Sequence, residues 1–166
     1  MGANDSQSKM EYNEAVDGPP RSRDPFSWLV FVSHSGMDTW VAKQVAREII
    51  ACGAEAFLDE AQIEVGAEFE EDVRGSLEKA RELVVLLTPW SLDRPYVWAE
   101  LGAAWLRRIP IVGLLHGLTA AELQSRAGVP VFLKKRDLLP LNDIETYLGQ
   151  LRSRVAGGFS RGETRI

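Results

Sequence analysis

Strand-length apolar runs alternate with stretches in which apolar side chains recur every third or fourth position, from Trp28 to Val155. Runs that are apolar throughout predict strands covered on both faces, whereas one apolar residue per turn predicts a helix with a single buried side. Trp28-Leu29-Val30-Phe31-Val32 is the first predicted strand and ends at Ser33-His34-Ser35-Gly36. Ser35, with Asp38 three residues on, has the spacing to cap the following helix, whose Val41, Val45 and Ile49 form a stripe and which stops at Gly53. Ala56-Phe57-Leu58 is the second strand. Asp59-Glu60 and the loop from Ala61 to Gly66 then lead to a helix with Phe69, Val73 and Leu77 inward. Leu83 to Leu87 is the third strand, closed by Thr88-Pro89; Ile109 to Leu115 is the fourth and Val129 to Leu133 the fifth. Thr119-Ala120-Ala121-Glu122 has capping-box spacing for a short helix. Asn142-Asp143-Ile144-Glu145 opens a final helix with Ile144, Leu148, Leu151 and Val155 as its stripe.

Strands alternating with helices predict an α/β fold, a flavodoxin-like doubly wound sheet of five parallel strands flanked by helices. Such sheets bind ligands beyond the carboxyl ends of their strands, where the strand order reverses, so Ser33 to Gly36, Asp59 to Gly66 and Pro89 to Ser91 converge on one edge. The 166 residues, 45% of them hydrophobic, suit one domain, expected over 26–156. Residues 1–25 are polar, carry Gly18-Pro19-Pro20 and lack periodicity, so they are expected to be a flexible tail, as are residues 157–166.

Composition narrows the function. A net charge of −5, with Lys and Arg scattered along the chain, gives no electrostatic footprint for nucleic acid. Cys52 is the single cysteine, so no intrachain disulfide forms, and its place at a helix end favours a buried thiol. With no apolar run suited to a signal peptide or a membrane span, the expected location is cytoplasmic, with no membrane partner.

The segment from Ser91 to Trp105 sets one carboxylate among aromatic and small residues just after an apolar strand. In a helix starting near Asp93, Tyr96 and Glu100 lie one turn apart on one face, and Glu100 borders the stripe of Val97, Leu101 and Ala104. Glu100 is therefore the candidate reactive group, although a Glu near a helix start is also a common solvated residue favoured by the helix dipole. Other chemistries of this fold fail on particular residues. A phosphorylatable receiver needs paired acids after the first strand and an Asp after the third, where this chain has Ser33-His34 and Thr88-Pro89. A dinucleotide or phosphate loop needs several glycines where Ser33-His34-Ser35-Gly36-Met37-Asp38 supplies one. His34 and His116, without a nearby Cys or carboxylate cluster, make no ligand set, so no metal is expected.

Three segments in this order resemble the motif boxes of the TIR domain family: Phe31-Val32-Ser33-His34-Ser35, then Ala56-Phe57-Leu58-Asp59 with the loop to Gly66, then Ser91 to Glu100. The resemblance runs from about Trp28 to Arg154 and is closer to bacterial members than to animal adaptors. It implies an NAD nucleosidase that cleaves the nicotinamide–ribose bond, giving nicotinamide and either ADP-ribose or a cyclic ADP-ribose-type signal, with NAD as substrate and no cofactor. Glu100 is implied as the catalytic residue, and Ser33, His34, Ser35, Asp59, Ser91 and Tyr96 as substrate-binding. Tyr96 stands four positions before Glu100, where the family more often has a Trp, and keeps a face that can stack on nicotinamide. Ser35, Asp59 and Ser91 have alternative readings as cap or loop-fixing groups, Phe69 as core, and Trp98 and Trp105 as packing or interface residues.

The resemblance also implies homo-oligomers through TIR–TIR contacts, and a downstream effector activated by the product, as in an antiphage system such as Thoeris. Where animal adaptors carry Pro in the loop after the second strand, this chain has Val65 within Ile63-Glu64-Val65-Gly66. A non-catalytic interaction module, serving as a signalling adaptor or mimicking a host adaptor, is the alternative from the same family.

Overall fold

Parallel strands buried on both sides account for the all-apolar runs. The computed structural model describes residues 27–58, 74–134 and 138–160. β1 (Leu29–Ser33), β2 (Glu55–Leu58), β3 (Glu82–Leu87), β4 (Ile111–Leu115) and β5 (Leu139–Pro140) make one sheet. Its order is β2-β1-β3-β4-β5, with every pair parallel. The chain steps outward from β1 to β2, then crosses back to β3 on the other side of β1, so the order reverses between β1 and β3. This is the doubly wound, flavodoxin-like sheet of the sequence reading.

Helices cover both faces: α1 (Thr39–Ala51), α2 (described over 74–79), α3 (Pro95–Leu106), α4 (Ala120–Ser125), α5 (Val131–Lys134) and α6 (Ile144–Ser160). Strand side chains alternate between faces. Phe31, Leu83, Val85, Leu87, Ile111 and Leu115 pack with Leu77 of α2, Val97, Leu101 and Ala104 of α3, Leu123 of α4 and Leu133 of α5. Val30, Val32, Val84, Leu86 and Leu114 pack on the other face with Ala42, Val45 and Ile49 of α1 and Tyr147, Leu148, Leu151 and Val155 of α6. Thr119 and Glu122 form the expected reciprocal capping box at α4, which holds the Glu122 carboxyl below its ordinary range through the Thr119 amide and hydroxyl.

The fold departs from the sequence reading at several points, among them β4, which begins at Ile111 rather than Ile109. Val129 to Leu133 is not the fifth strand: Pro130 is followed by α5, and its carbonyl accepts from the amides of Leu133 at 3.0 Å and Lys134 at 3.2 Å. A four- or five-residue apolar run cannot distinguish a strand from a buried helical turn, and a proline suits the start of a helix. The fifth strand is Leu139–Pro140, too short to leave a periodic signal. α6 continues to Ser160, past the expected boundary at 156. Asp38, finally, makes no side-chain cap for α1. Asp59, the loop to Gly66, Phe69 and Val73 lie outside the described residues. No helix among the described residues is long and apolar enough to cross a membrane.

Gly113 lets β4 pack closely against its neighbours. A β-carbon there would come within 2.7 Å of Leu138 Cδ2 and 3.0 Å of Leu87 Cδ1. Leu87 is fully buried and has little room to yield. Gly113→Ala is expected to cost about 1–3 kcal/mol by overpacking, measurable by denaturant unfolding.

At the amino ends of the strands, Glu82 is buried on the α1–α6 face. Its Oε1 accepts from Trp28 Nε1 at 3.0 Å and Arg154 Nε at 2.7 Å, and its Oε2 from Tyr147 Oη at 3.1 Å and an Arg154 terminal nitrogen at 3.1 Å. Arg81 lies over the Trp28 ring and Arg154 over the Tyr147 ring. This cluster ties the entry to β1, the start of β3 and the far part of α6 into one clamp. Burial, and then the negative charge of Glu82, push the Tyr147 phenol well above its ordinary range. Because the folded value is raised, the stability this group lends is complete below its unfolded value of about 10 and is lost as pH rises beyond it. Unfolding free energy should therefore fall above pH 10 by up to about 1.4 kcal/mol per pH unit. Denaturant titrations from pH 8 to 11 should show a shallower fall in Tyr147→Phe.

Candidate active site at the sheet reversal

In a doubly wound sheet the point where the strand order reverses, here between β1 and β3, opens a crevice at the carboxyl edge, and the sequence brings a carboxylate to that point by two regular patterns. Alternation along β1 puts Ser33 on the same face as Phe31, the face that α3 covers. α3 begins with Pro95 in its first turn, after the extended residue Arg94, and buries Val97, Leu101 and Ala104 against the sheet. Glu100 adjoins that stripe and is only 7% exposed. Ser33 Oγ donates a hydrogen bond to Glu100 Oε2. Burial separates Glu100 from the solvated glutamate expected near a helix start, and a carboxylate kept out of water needs such donors.

Tyr96, one turn earlier, is half-buried against the core. Its hydroxyl donates to the His34 carbonyl at 2.9 Å, tying α3 to the end of β1. His34 is itself buried, with Nδ1 3.5 Å from the Val32 carbonyl. Ser33, His34, Tyr96 and Glu100 thus come together from two elements 67 positions apart in the chain.

Ser35 and Ser91 make local contacts. Ser35 is buried, and its hydroxyl accepts from the Met37 amide at 3.3 Å, capping a single 3-10 turn at Gly36–Asp38. Ser91 is fully buried: Oγ accepts from the Thr88 amide at 2.9 Å and donates to the Thr88 carbonyl at 3.2 Å. These contacts match the cap and loop-fixing readings of the two serines. Asp59 lies outside the described residues. Trp98 donates to the Leu92 carbonyl at 3.1 Å, and Trp105 stacks on Phe132 with centroids 5.4 Å apart, so both have packing contacts.

Two buried residues at this edge were missed as site groups. Thr88 Oγ1 donates to Asp38 Oδ2 at 2.6 Å across the reversal. Asp38 reads as a helix cap in sequence and Thr88 as a strand terminator, and nothing local pairs positions 50 residues apart.

His34 follows β1 and His116 follows β4, with β3 between them in the sheet. Among the described residues, no group of three or more His, Cys, Asp or Glu side chains gathers in metal-binding range. Among the described residues two buried carboxylates lie at this edge, Asp38 held by the Thr88 hydroxyl and Glu100 held by the Ser33 hydroxyl, and Glu100 is the one a turn from Tyr96. A carboxylate so held can stabilise positive charge developing on a bound ligand.

The TIR domain family matches residues 30–119. In three dimensions the chain is similar to the TIR domain of a Toll-related receptor from Hydra magnipapillata, at 17% identity and a TM-score of 0.55, covering 75% of this chain and 94% of that one. It is similar also to the TIR domains of the activated Roq1 resistosome, which directly recognises the pathogen effector XopQ, at 16% identity and 0.51, covering 79% and 84%. A third likeness is to a 2-deoxyribosyltransferase from Bacillus psychrosaccharolyticus, at 15% identity and 0.51, covering 74% and 95%. At these identities the likeness is one of fold. None of the curated proteins compared matches the chain in sequence.

Proposed function

Because this chain belongs to the TIR domain family, we propose that it is an NAD nucleosidase whose catalytic residue is Glu100. The observation that carries the reading is a buried glutamate held by the Ser33 hydroxyl at the point where the strand order reverses. Hydrolysis of an ordinary glycoside calls for two carboxyl groups, because the leaving oxygen must be protonated. The nicotinamide of NAD is already cationic. When the bond from ribose C1′ to the pyridinium nitrogen breaks, its electron pair neutralises that nitrogen, and the ring departs without a proton. What remains for the protein is to stabilise the oxocarbenium ion at C1′, which one oriented carboxylate does. Water then attacks C1′ and releases a proton to solvent to give ADP-ribose, or an adenine nitrogen of the same molecule attacks and the adenine gives up a proton to leave a cyclic product. Tyr96 supplies an aromatic face one turn from Glu100, and its bond to the His34 carbonyl keeps that ring in register with the end of β1.

Such an enzyme fits antiphage signalling in which the product activates a separate effector. Incubating concentrated full-length protein with NAD, with and without a crowding agent, tests the reading. Nicotinamide release with ADP-ribose or its cyclic isomer, resolved by mass, is the expected result; no release under either condition overturns it.

A non-catalytic assembly module is the second reading, and exposed apolar side chains favour it. Trp105, Leu106 and Val131 are 52%, 77% and 65% exposed on α3 and α5, and one structural neighbour is the TIR domains of a resistosome. Light scattering across a concentration series, together with an inactive NAD assay, would favour the module.

A further inference from the structure

We propose that Asp38 and Thr88 form a latch across the sheet reversal and act as positioning residues for the Glu100 centre, a proposal that rests on reading that centre as an NAD-cleaving site. The connections after β1 and β3 leave the sheet on opposite faces, the first into α1 and the second into α3. That divergence opens the crevice, and the backbone ladder ends where the divergence begins. Side chains must therefore set the distance between its two lips. Ser33 and His34 lie on one lip, and Tyr96 and Glu100 hang from the other.

Thr88 Oγ1 donates to Asp38 Oδ2 at 2.6 Å and at the same time accepts from the Ser91 amide at 3.1 Å. One hydroxyl thereby joins an anion on the first lip to the turn that launches α3 on the second, using its donor and an acceptor site together. Ser91 closes that turn through its bonds to the Thr88 amide and carbonyl. Asp38 is 3% exposed, and Thr88 and Ser91 are fully buried. All three are buried and hydrogen-bonded to one another, so Asp38 and Thr88 act through the groups they hold. A hydrogen bond to an ionised carboxylate is among the stronger kinds in a protein interior. The latch fixes the Ser33–Glu100 pair at one separation, and small misplacements of reacting groups are costly: about 1 Å can lose about a hundredfold in rate.

The test uses the full chain with Thr88→Val, which removes the hydroxyl at nearly constant shape, Thr88→Ser, which restores it, and Asp38→Asn, which keeps a weaker acceptor. In Thr88→Val, kcat is expected to fall about 10- to 100-fold with KM changed by less than about threefold. Thr88→Ser is expected to stay within about threefold of wild type, and Asp38→Asn to fall between them. Amide hydrogen exchange adds a readout that does not depend on turnover: residues 36–38 and 88–94 should exchange faster together in Thr88→Val, with protection in β3 and α6 unchanged. Wild-type kcat in Thr88→Val, or faster exchange on one lip alone, overturns the latch. Should Thr88→Val fail to fold, Asp38→Asn decides by the same two readouts. Wild-type protein that releases no nicotinamide overturns the reading of the centre, and exchange then decides the latch: coupled loosening supports it, and one-sided loosening sinks it.

Discussion

Glu100→Gln should lower nicotinamide release from NAD by roughly a thousandfold or more, while the folded protein melts no earlier than wild type. Glutamine keeps the length and can still accept from Ser33, so the contact seen at Oε2 has a neutral replacement. In the proposed mechanism, what is lost is the charge that stabilises the cationic transition state. The same charge burdens the fold, because a carboxylate at 7% exposure has given up most of its water. Removing it should therefore leave the melting temperature unchanged or raised, the usual trade-off between stability and activity. Glu100→Asp, one methylene shorter, should retain the charge but lose about 10- to 100-fold through misplacement. Product chromatography and differential scanning fluorimetry on the same preparations check both halves. Turnover within tenfold of wild type in Glu100→Gln would remove Glu100 from the mechanism.

Arg154→Ala should be the most destabilising change remote from the crevice, at about 3 kcal/mol, the lower end of the range for breaking a buried ion pair. The lower end applies because the Arg154 side chain is 36% exposed and water can partly replace it beside Glu82. In a domain of this size about 3 kcal/mol corresponds to a melting temperature lower by roughly 6–12 °C. Below that transition nicotinamide release should be intact, since the clamp lies at the amino edge of the sheet and the crevice at the carboxyl edge. Replacing both partners by apolar residues of similar volume, Glu82→Met with Arg154→Met, should recover part of the loss, because the uncompensated buried charge goes with them. A single variant as stable as wild type would show that the clamp does not hold α6 in place.

Sequence pattern carried most of the fold, because a parallel sheet buried on both faces writes its strands as unbroken apolar runs, as in β1 and β3. The pattern failed where an element was too short to have a period. Val129 to Leu133 reads equally well as strand or helical turn, and the true fifth strand is two residues long. At the site, Ser33, Tyr96 and Glu100 were readable because their spacing within one strand end and one helix places them without long-range information. Asp38, Thr88 and Glu82 were not. Each finds its partner 50 or more positions away, and a lone Asp after a strand or a lone Glu before one carries no local mark of the contact it will make. Ser91 carries both of its sequence readings, since its motif position suggests a ligand contact and its hydroxyl also bonds within the turn.

The two-residue β5 limits how copies of this chain can meet at one edge of the sheet. A sheet edge recruits another strand by presenting a row of unpaired amides and carbonyls. Here that edge is only Leu139–Pro140, and Pro140 has no amide to give. Extension of the sheet from molecule to molecule on that side is blocked by covalent structure, whatever the concentration. On the β5 side, crowding such domains together brings side chains into contact rather than backbone ladders, whereas the opposite edge, β2, keeps a four-residue strand.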